Sequence, residues 1–319
     1  MPTVVDLFAG AGGFSRGFEE AGFEVVAAVE ANPAHAAAHR ANFPAADLQQ
    51  ADIRSVAAIE ARPDVLIGGP PCEAFTGANA RRLPDPLARL EKDERGQLVQ
   101  EYIRLLAQLR PRVFVMENVV GVAEGPLRGA LRAAFRDAGF PKVWFNVLRA
   151  EEHGTASRRE RMFLSNLPLA PKLRDPLDVA EAFAGLPEPG PEPPNHEAVP
   201  LTDAKRAKLM RLRPGESLVR YRSASGRGLA NWMRLHADQV APPVMGRSRF
   251  VHPTGARVLT VREQARLMGF PDQHVFAGGR DAQFDQVGEA VPPPLARAVA
   301  GDVRAYLSVL GSAGASRSA

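Results

Sequence analysis

Cys72 is the only cysteine in 319 residues, and the residues around it suit a nucleophile. It follows the apolar run Val65–Ile67 within Gly68–Thr76, whose two prolines leave little room for a regular strand or helix. A free cysteine is more often a small buried core residue. A loop at the carboxyl end of a strand, however, is where open α/β sheets bind ligands. The thiol is therefore a candidate nucleophile, and we expect neighbouring positive charge or a helix N-terminus to lower its pKa.

A glycine-rich turn in Asp6–Gly13 indicates a second ligand site, because glycines let the backbone approach a ligand closely. Glu30, seventeen residues after Gly13, ends the next predicted strand, where a carboxylate can bind ribose hydroxyls. Asp52, in Ala51–Ile53, lies at the predicted end of a further short strand ahead of Val65 and could accept from an adenine amino group. The turn has no basic residue for a diphosphate, which favours a nucleoside such as S-adenosylmethionine. Either carboxylate could instead cap a helix.

The first 165 residues alternate short apolar runs with amphipathic stretches, which predicts a mainly parallel sheet covered by helices on both faces. The predicted strands are Thr3–Phe8, Phe23–Val29, Val65–Ile67, Val113–Met116 and Val143–Leu148. The predicted helices are Phe14–Ala21, Ala34–Asn42, Leu98–Leu109 and Leu127–Ala138. The fold class is therefore α/β.

The second half of the chain is less regular and more basic. Residues 187–200 contain six prolines, which is typical of an extended connection. Residues 201–256 show no clear periodicity, and residues 201–260 hold twelve Lys and Arg against three Asp and Glu. That local charge of +9, in a chain of net charge +4, favours a polyanion-binding surface over a merely solvated face. We expect helices again at Val261–Met268 and Pro294–Leu310, the second packing back onto the sheet.

Composition narrows the class of protein further. Apolar residues make up 45% of the chain, enough for a large core, yet none of the apolar runs approaches the roughly 18–20 residues of a membrane span. The first residues lack a signal-peptide pattern. One cysteine cannot form an intrachain disulfide, and no Cys/His cluster has the spacing of metal ligands. We therefore expect a cytoplasmic protein without a metal.

Six segments occur in the order found in DNA (cytosine-5) methyltransferases of the bacterial type, which the chain resembles over nearly its full length. They are Asp6–Gly13, Gly69–Cys72, Glu117–Val119, Ser157–Arg161, Arg257–Glu263 and Gln286–Pro292. The resemblance implies a Rossmann-like S-adenosylmethionine-dependent domain with a small, irregular target-recognition domain. The implied divisions are a catalytic and cofactor-binding part in 1–165, target recognition in 166–256, and a return to the catalytic domain in 257–319.

The resemblance also implies a reaction. Cys72 would add to carbon 6 of a cytosine flipped out of double-stranded DNA, and carbon 5 would then take the methyl group of S-adenosyl-L-methionine, leaving S-adenosyl-L-homocysteine. Glu117 would act at ring nitrogen 3, Arg161 would bind the ring carbonyl and orient Glu117, and Arg159 would approach the DNA backbone. The implied cofactor-binding residues are Asp6, Phe8, Ala9, Gly10, Gly12, Gly13, Glu30, Asp52, Ile53, Pro70, Leu98, Glu289, Ala290 and Val291.

The basic segment supplies the candidates for contact with DNA, because arginine binds both phosphates and guanine. These candidates are Arg220, Arg222, Arg227, Arg247 and Arg249. The sequence of this segment does not show which of these arginines would bind phosphate and which would bind guanine.

Three residues depart from the family's pattern. Glu73 and Ser157 stand where the family has Gln, and Glu289 stands where it has Asn. A carboxylate beside a thiol raises the thiol pKa unless it is paired. We therefore expect a nearby arginine to offset each of Glu73 and Glu289, and replacing Glu289 with Asn to leave methylation intact or faster.

Two alternatives remain at this stage. The fold could serve a tRNA cytosine, as one branch of this family does, or the chain could be a DNA-binding protein that has lost catalysis. A solitary enzyme and one paired with a restriction endonuclease are both compatible with the sequence. We expect a monomer, associated with the nucleoid through its DNA binding, because one active site meets one target strand.

Overall fold

A seven-stranded sheet forms the centre of the first half of the protein. The computed structural model describes residues 1–79, 81–222 and 228–315. The strands are β1 (Thr3–Leu7), β2 (Glu24–Glu30), β3 (Asp47–Gln50), β4 (Val65–Gly68), β5 (Val113–Asn118), β6 (Trp144–Arg149) and β7 (Glu160–Ser165). Their order across the sheet is β3-β2-β1-β4-β5-β7-β6. The first five strands are parallel, and β7 runs antiparallel to both β5 and β6.

Helices cover both faces of this sheet, as the alternating pattern predicts. They are α1 (Gly13–Glu20), α2 (Pro33–Asn42), α3 (Pro86–Glu91), α4 (Leu98–Leu109), α5 (Leu127–Asp137) and the C-terminal α10 (Pro293–Ala315). One apolar core lies between the sheet and α4 and α5, and the other between the sheet, α1 and α10. At Gly17 the two helices of the second core touch, because a Cβ there would lie 2.3 Å from Cβ of Ala296. The predicted return of the last helix to the sheet is confirmed.

The topology of the sheet brings the candidate catalytic residues to one edge. In β4 and β5 every residue is buried, as expected for central parallel strands covered on both faces. Parallel strands end at the same edge, so the residues after β1, β2, β4 and β5 are neighbours there. Because β7 is antiparallel, its first residues lie at that edge as well. Cys72, Glu117 and Arg161 all belong to this set.

The second half contains a small sheet that the sequence did not predict. Its elements are α6 (Val179–Phe183), α7 (Asp203–Met210), β8 (Ser217–Arg222), β9 (Gly228–Arg234), β10 (Phe250–Val251), α8 (Val261–Leu267) and α9 (Arg280–Glu289). β8 and β9 pair antiparallel, and β10 joins β9 in parallel. The expectation of an irregular segment over 201–256 is therefore wrong in detail, although the α/β class holds.

The proline-rich stretch 187–200 is an extended connection, but it is held in place. Asn195 exchanges two hydrogen bonds of 2.9 Å with the backbone of Phe276, and buried His196 contacts Thr260 Oγ1 at 2.8 Å. Arg262 donates to the Pro194 carbonyl from α8. Thr260 and Glu263 form a reciprocal capping box at the start of that helix. The connection thus packs against α8 and the residues that follow it. In the described part of the chain no helix is both long and apolar enough to cross a membrane.

Candidate active site

The loop that carries Cys72 is fixed to the end of β5. Asn118 is fully buried, donates from Nδ2 to the Pro70 carbonyl at 3.0 Å and accepts from the amide of Val119. The Cys72 carbonyl accepts from the amides of Phe75 and Thr76, both at 2.9 Å. Cys72 itself is partly exposed. The nucleophile candidate therefore lies in a turn whose backbone is hydrogen-bonded on both sides.

Glu117 and Arg161 form an ion pair beside this turn. Arg161 Nε lies 2.9 Å from Glu117 Oε1, and Glu117 is only 8% exposed. The pairing of β5 with β7 brings them together, because Glu117 lies opposite Phe163 in the register. A Cβ built on Gly69 would lie 3.2 Å from Glu117 Oε2, so this carboxylate lies against the loop that leads to Cys72. The predicted orientation of Glu117 by Arg161 is present.

The electrostatics at Cys72 differ from the expectation. Burial raises the pKa of the thiol to about 11, and the negative charge of Glu117 adds to the rise. Arg161 and Arg159 oppose it, with the smaller contribution of Glu73 again raising the pKa. The expected lowering of the thiol pKa is therefore wrong for this conformation, in which the thiol is protonated at neutral pH. Forming the thiolate requires a change in its surroundings.

Arg159 lies in the interior and not at an exposed surface. It is 4% exposed, and Nη1 donates to the carbonyls of Val244 at 3.2 Å and Gly288 at 2.8 Å. Nη2 donates to the Glu289 carbonyl at 3.2 Å. Burial lowers its pKa to about 9. Its guanidinium thus joins three segments that are distant in sequence, and its approach to the DNA backbone stays a prediction.

The three departures from the family's pattern have different surroundings. Glu73 lies 3.7 Å from Arg95 in an exposed ion pair, as expected. Glu289 has no comparable partner in the described part of the chain, since Arg159 binds its backbone carbonyl. Although the Glu289 side chain reaches solvent, burial of its carboxylate and the charges of Asp285, Glu73 and Glu30 raise its pKa to about 7. The charge of Arg159 lowers this pKa without outweighing the other causes, so the expected offset by an arginine is only partial there. Ser157 is buried and donates to the Pro242 carbonyl at 3.3 Å.

The glycine-rich turn has the backbone that a close ligand requires. Phe8, Gly10 and Gly12 have φ values of 59°, 56° and 90°, so the turn passes three times through the left-handed region. Glu30 accepts from the Gly10 amide at 2.8 Å and the Asn32 amide at 2.7 Å. A Cβ on Gly12 would lie 2.2 Å from the Phe43 ring. Glu30 thus connects the turn to the start of α2, whose own cap is Asn32.

The other two predicted carboxylates are in opposite environments. Asp6 is 1% exposed, accepts from Ser15 Oγ at 2.6 Å, and leaves Oδ1 without a hydrogen-bond partner among the described residues. Burial raises its pKa to about 7. Asp52 is exposed, caps the short 3₁₀ helix Ile53–Ser55 and binds Arg54 at 3.0 Å. The capping role weighed for Asp52 is present.

The remaining predicted cofactor residues line different parts of the cores around the turn. Ile53 is buried in the apolar core that Phe8 and Leu98 pack against, and Val291 is buried in the core that contains α1 and α10. Gly13 approaches the motif that follows α9, since a Cβ there would lie 2.4 Å from the Val291 carbonyl. Pro70 is buried, Ala9 donates to Val29, and Ala290 packs beside Ala11 in the core formed around α8 and α9.

The candidate DNA-binding arginines separate into two kinds. Arg220 and Arg247 are exposed on the basic segment. Arg249 is instead held in the structure, with Nη2 2.6 Å from Asp281 and its guanidinium 3.9 Å from the centre of the Phe284 ring. Its predicted role in DNA contact is therefore not supported by its placement. Arg227 and the side chain of Arg222 lie outside the described residues.

Two features of this site were missed in the sequence. Asn118 is part of the Glu117–Val119 motif, yet nothing in its type assigned it the bond to the Pro70 carbonyl. Arg89 of α3 and Glu124 form a 2.6 Å ion pair next to the Cys72 loop, and no spacing rule connects residues 35 positions apart. The first could have been inferred from the motif, and the second only from the structure.

The pattern of one family, described as C-5 cytosine-specific DNA methylase, matches residues 2–167 and 197–305. The chain belongs to this family. It is a DNA cytosine-5 methyltransferase, and DNA is its substrate. The six ordered segments read from the sequence are thus confirmed as a family signature.

Individual relatives align with this methylase over almost its whole length. It is 39% identical to a candidate type II methyltransferase of Methanocaldococcus jannaschii, M.MjaORF1200P, over 94% of this chain and 97% of that protein. It is 32% identical to the type II methyltransferase M.XorII of Xanthomonas oryzae, over 95% of this chain and 84% of that protein. A candidate DNA modification methyltransferase encoded within an E. coli prophage has a similar solved structure, with a TM-score of 0.78, 25% identity and coverage of 97% and 100%. The Rossmann-like α/β methyltransferase fold is therefore confirmed.

Proposed function

We propose that this methylase transfers a methyl group from S-adenosyl-L-methionine to carbon 5 of a flipped cytosine in a specific DNA sequence, through a covalent adduct of Cys72 with carbon 6. The observation that supports this most is the convergence of the Cys72 loop and the Glu117–Arg161 pair at one edge of the sheet. Cys72 follows β4, Glu117 lies near the end of β5 and Arg161 near the start of β7, so a rigid scaffold positions the whole set.

The chemistry follows from what each group can donate or accept. The Cys72 thiol loses its proton, and the sulfur forms a bond to carbon 6 while Glu117 protonates or hydrogen-bonds nitrogen 3. Carbon 5 becomes nucleophilic as an enamine and takes the methyl group. Loss of the carbon 5 proton to a base then breaks the carbon–sulfur bond and restores the free thiolate. Arg161 holds Glu117 in place and faces the ring carbonyl.

The residues of the glycine-rich turn fit a nucleoside cofactor. Each Glu30 oxygen already accepts one backbone amide and retains a lone pair for ribose hydroxyls. The turn between Phe8 and Gly13 carries no Lys or Arg, which disfavours a phosphate-bearing ligand. S-adenosyl-L-methionine supplies an electrophilic methyl group and a positive sulfur. Asp6 and Glu289 have pKa values raised to about 7, which indicates that their charged forms lack sufficient positive charge nearby. The positive sulfur of the cofactor would supply that charge.

Base flipping requires a surface that binds the phosphate backbone. Unstacking and unpairing a cytosine costs a few kcal/mol, which pocket contacts and backbone binding offset. The exposed Arg220 and Arg247 on the basic segment are the described candidates for that surface. We assign target recognition to this segment, with the catalytic parts on either side of it, as the divisions at 165 and 256 imply.

Methyl transfer with labelled cofactor tests the proposal directly. We expect label in duplex DNA and not in tRNA, and we expect DNA containing 5-fluorocytosine to become covalently attached to wild-type enzyme but not to Cys72→Ser. Label only in tRNA would establish the tRNA alternative. DNA binding without any label transfer would establish the noncatalytic alternative.

The type II names of the relatives support a further part of the proposal. We infer that the enzyme protects DNA from a restriction endonuclease, acts as a monomer and works in the cytoplasm at the nucleoid. Bisulfite sequencing of a host genome that expresses the chain gives the methylated motif. Cleavage of that DNA by an endonuclease of the same motif, together with light scattering of the purified protein, tests the remaining claims.

A further inference from the structure

A buried arginine and one carboxylate connect the loop after Cys72 to the segment after Glu117. Arg89, in α3, is 3% exposed, and its Nη1 donates to Glu124 Oε2 at 2.6 Å. Its Nε and Nη2 donate to the carbonyls of Leu83 and Pro84 at 2.7 and 2.9 Å. Glu124 is the only carboxylate that pairs with Arg89 in the described part of the chain. The guanidinium therefore depends on Glu124 for its countercharge.

The same carboxylate binds a second arginine of the loop. Arg82 Nη1 lies 3.2 Å from Glu124 Oε2 and also donates to the Phe75 carbonyl at 3.2 Å. Glu124 directly follows the 3₁₀ helix Val120–Ala123, which comes soon after β5. Hydrogen bonding to Arg89 lowers the pKa of Glu124, so it is ionised at neutral pH. Arg82 of the loop and Arg89 of α3 thus pair with one carboxylate in the segment that follows the strand of Glu117.

A short series of contacts extends from this pair to the nucleophile. Phe75 is fully buried, and its amide donates to the Cys72 carbonyl at 2.9 Å. Its own carbonyl accepts from Arg82 and lies against Gly121, where a Cβ would be 2.4 Å away. Phe75 therefore cannot shift without disturbing Arg82 or the segment at Gly121. The position of Cys72 relative to Glu117 is fixed through the same contacts.

We propose that Arg89 and Glu124 are positioning residues that hold the Cys72 loop against the end of β5, so that sulfur and carboxyl meet the base in one geometry. This inference rests on the proposed function, in which Cys72 is the nucleophile. Neither residue contacts the reacting atoms. Their effect is on the placement of Cys72, and a misplacement of about 1 Å can slow a reaction by about 10²-fold.

The test uses Glu124→Gln, which keeps the shape of the side chain and removes its charge. We expect kcat for methyl transfer to fall by about 10²-fold while KM for the cofactor stays unchanged. Because Cys72 is the only cysteine, iodoacetamide alkylation followed by mass spectrometry reports on this loop alone. We expect alkylation to become faster, since the loop no longer buries the thiol. Because partial unfolding would also expose the thiol, both rates are compared at equal folded fraction, checked by circular dichroism and thermal melting.

Asp272→Asn is the matched control. Asp272 is the partly exposed carboxylate partner of Arg266, at 2.5 Å, and belongs to the second half of the chain. We expect it to leave both kcat and alkylation near wild type. Equal changes in Glu124→Gln and Asp272→Asn, or no change in Glu124→Gln, would overturn the inference. Arg89→Lys, which keeps the charge but loses the three-way hydrogen bonding, is the second variant and should show the same pair of changes.

The two proposals fail in different ways. Wild-type enzyme that neither transfers label nor is trapped by 5-fluorocytosine contradicts the proposed function. Alkylation of Cys72 needs no DNA and no cofactor, so it tests the positioning role in either case. An alkylation rate in Glu124→Gln equal to that of wild type contradicts that role alone.

Discussion

The carboxylates on the two sides of the candidate site differ in whether they have a cationic partner. On the nucleophile side, buried Glu117 has a cation at hydrogen-bond distance, with Arg161 at 2.9 Å. On the cofactor side, Asp6 and Glu289 have pKa values raised to about 7, and Glu289 faces other carboxylates. A buried carboxylate without a cation takes up a proton instead of remaining charged. The Glu117 carboxylate thus has its countercharge within the folded chain, and we infer that the carboxylates of the second side are compensated by a cationic cofactor.

The largest expected effect comes from removing the nucleophile. Cys72→Ser should reduce methyl transfer by about 10⁴-fold or more, because the serine hydroxyl is a much weaker acid than a thiol and stays protonated, so it does not add to the ring. Cofactor binding, measured by calorimetry, and duplex binding should stay at wild-type strength, since neither side's charges change. Retention of methyl transfer in Cys72→Ser would remove the distinction between the two sides.

Breaking the ion pair should have the next largest effect. Glu117→Gln removes the carboxyl group that acts at ring nitrogen 3 and should lower kcat by about 10²- to 10⁴-fold in single-turnover assays. Arg161→Lys keeps the charge but loses the planar Nε contact, so a smaller loss is expected. Equal activity of Glu117→Gln and wild type would show that the carboxyl takes no part in the reaction.

The sequence predicted the parallel half of the sheet and the edge where the site lies. Central strands such as β4 and β5 are buried on both faces, so their sequences are continuous apolar runs that stand out. Cys72 and Glu117 follow or end such strands, which is why their meeting could be expected. β7 was missed because it begins with the charged residues Glu160 and Arg161 at the site's edge. Its antiparallel direction also has no local signal.

The rest of the structure depends on long-range contacts that no local pattern shows. In β8, Val219 and Arg220 are both exposed, so the strand lacks the alternation of a half-buried one. The carbonyls that bind Arg159 belong to residues 85 to 130 positions away. The sequence motif therefore marked Arg159 as a functional candidate, but only the folded structure shows that its guanidinium binds these backbone carbonyls.

Arg159 offers a comparison within the nucleophile side itself. Arg159→Met leaves two buried carbonyls and one partly buried carbonyl without their charged donor, and hydrogen bonds of this kind contribute roughly 1.5–3 kcal/mol each. We expect the free energy of unfolding, measured with urea, to fall by about 3 kcal/mol or more. Arg161→Met should lose less stability and more activity. If the two variants lose stability and activity in equal proportion, Arg159 does not have a mainly structural role and Arg161 a mainly catalytic one.

The smallest expected effect is at Glu289, on the cofactor side. Its pKa is about 7 in the folded protein against 4.5 in an ordinary carboxyl, so the native state binds the proton more strongly than the unfolded state does. Stability therefore falls as pH rises from about 4.5 through 7, and the cost is fully present above that range. Glu289→Asn should remove this cost.

The advantage in Tm of Glu289→Asn over wild type should consequently increase between pH 5 and pH 8, by differential scanning calorimetry. Methyl transfer by the variant should be intact or faster, since Cys72, Glu117 and Arg161 are untouched. Binding of the cationic cofactor relative to neutral S-adenosyl-L-homocysteine should weaken above pH 7, where wild-type Glu289 is charged. A Tm difference that does not vary with pH would mean that the cofactor side holds no uncompensated charge at Glu289, and the contrast between the two sides would then depend on Asp6 alone.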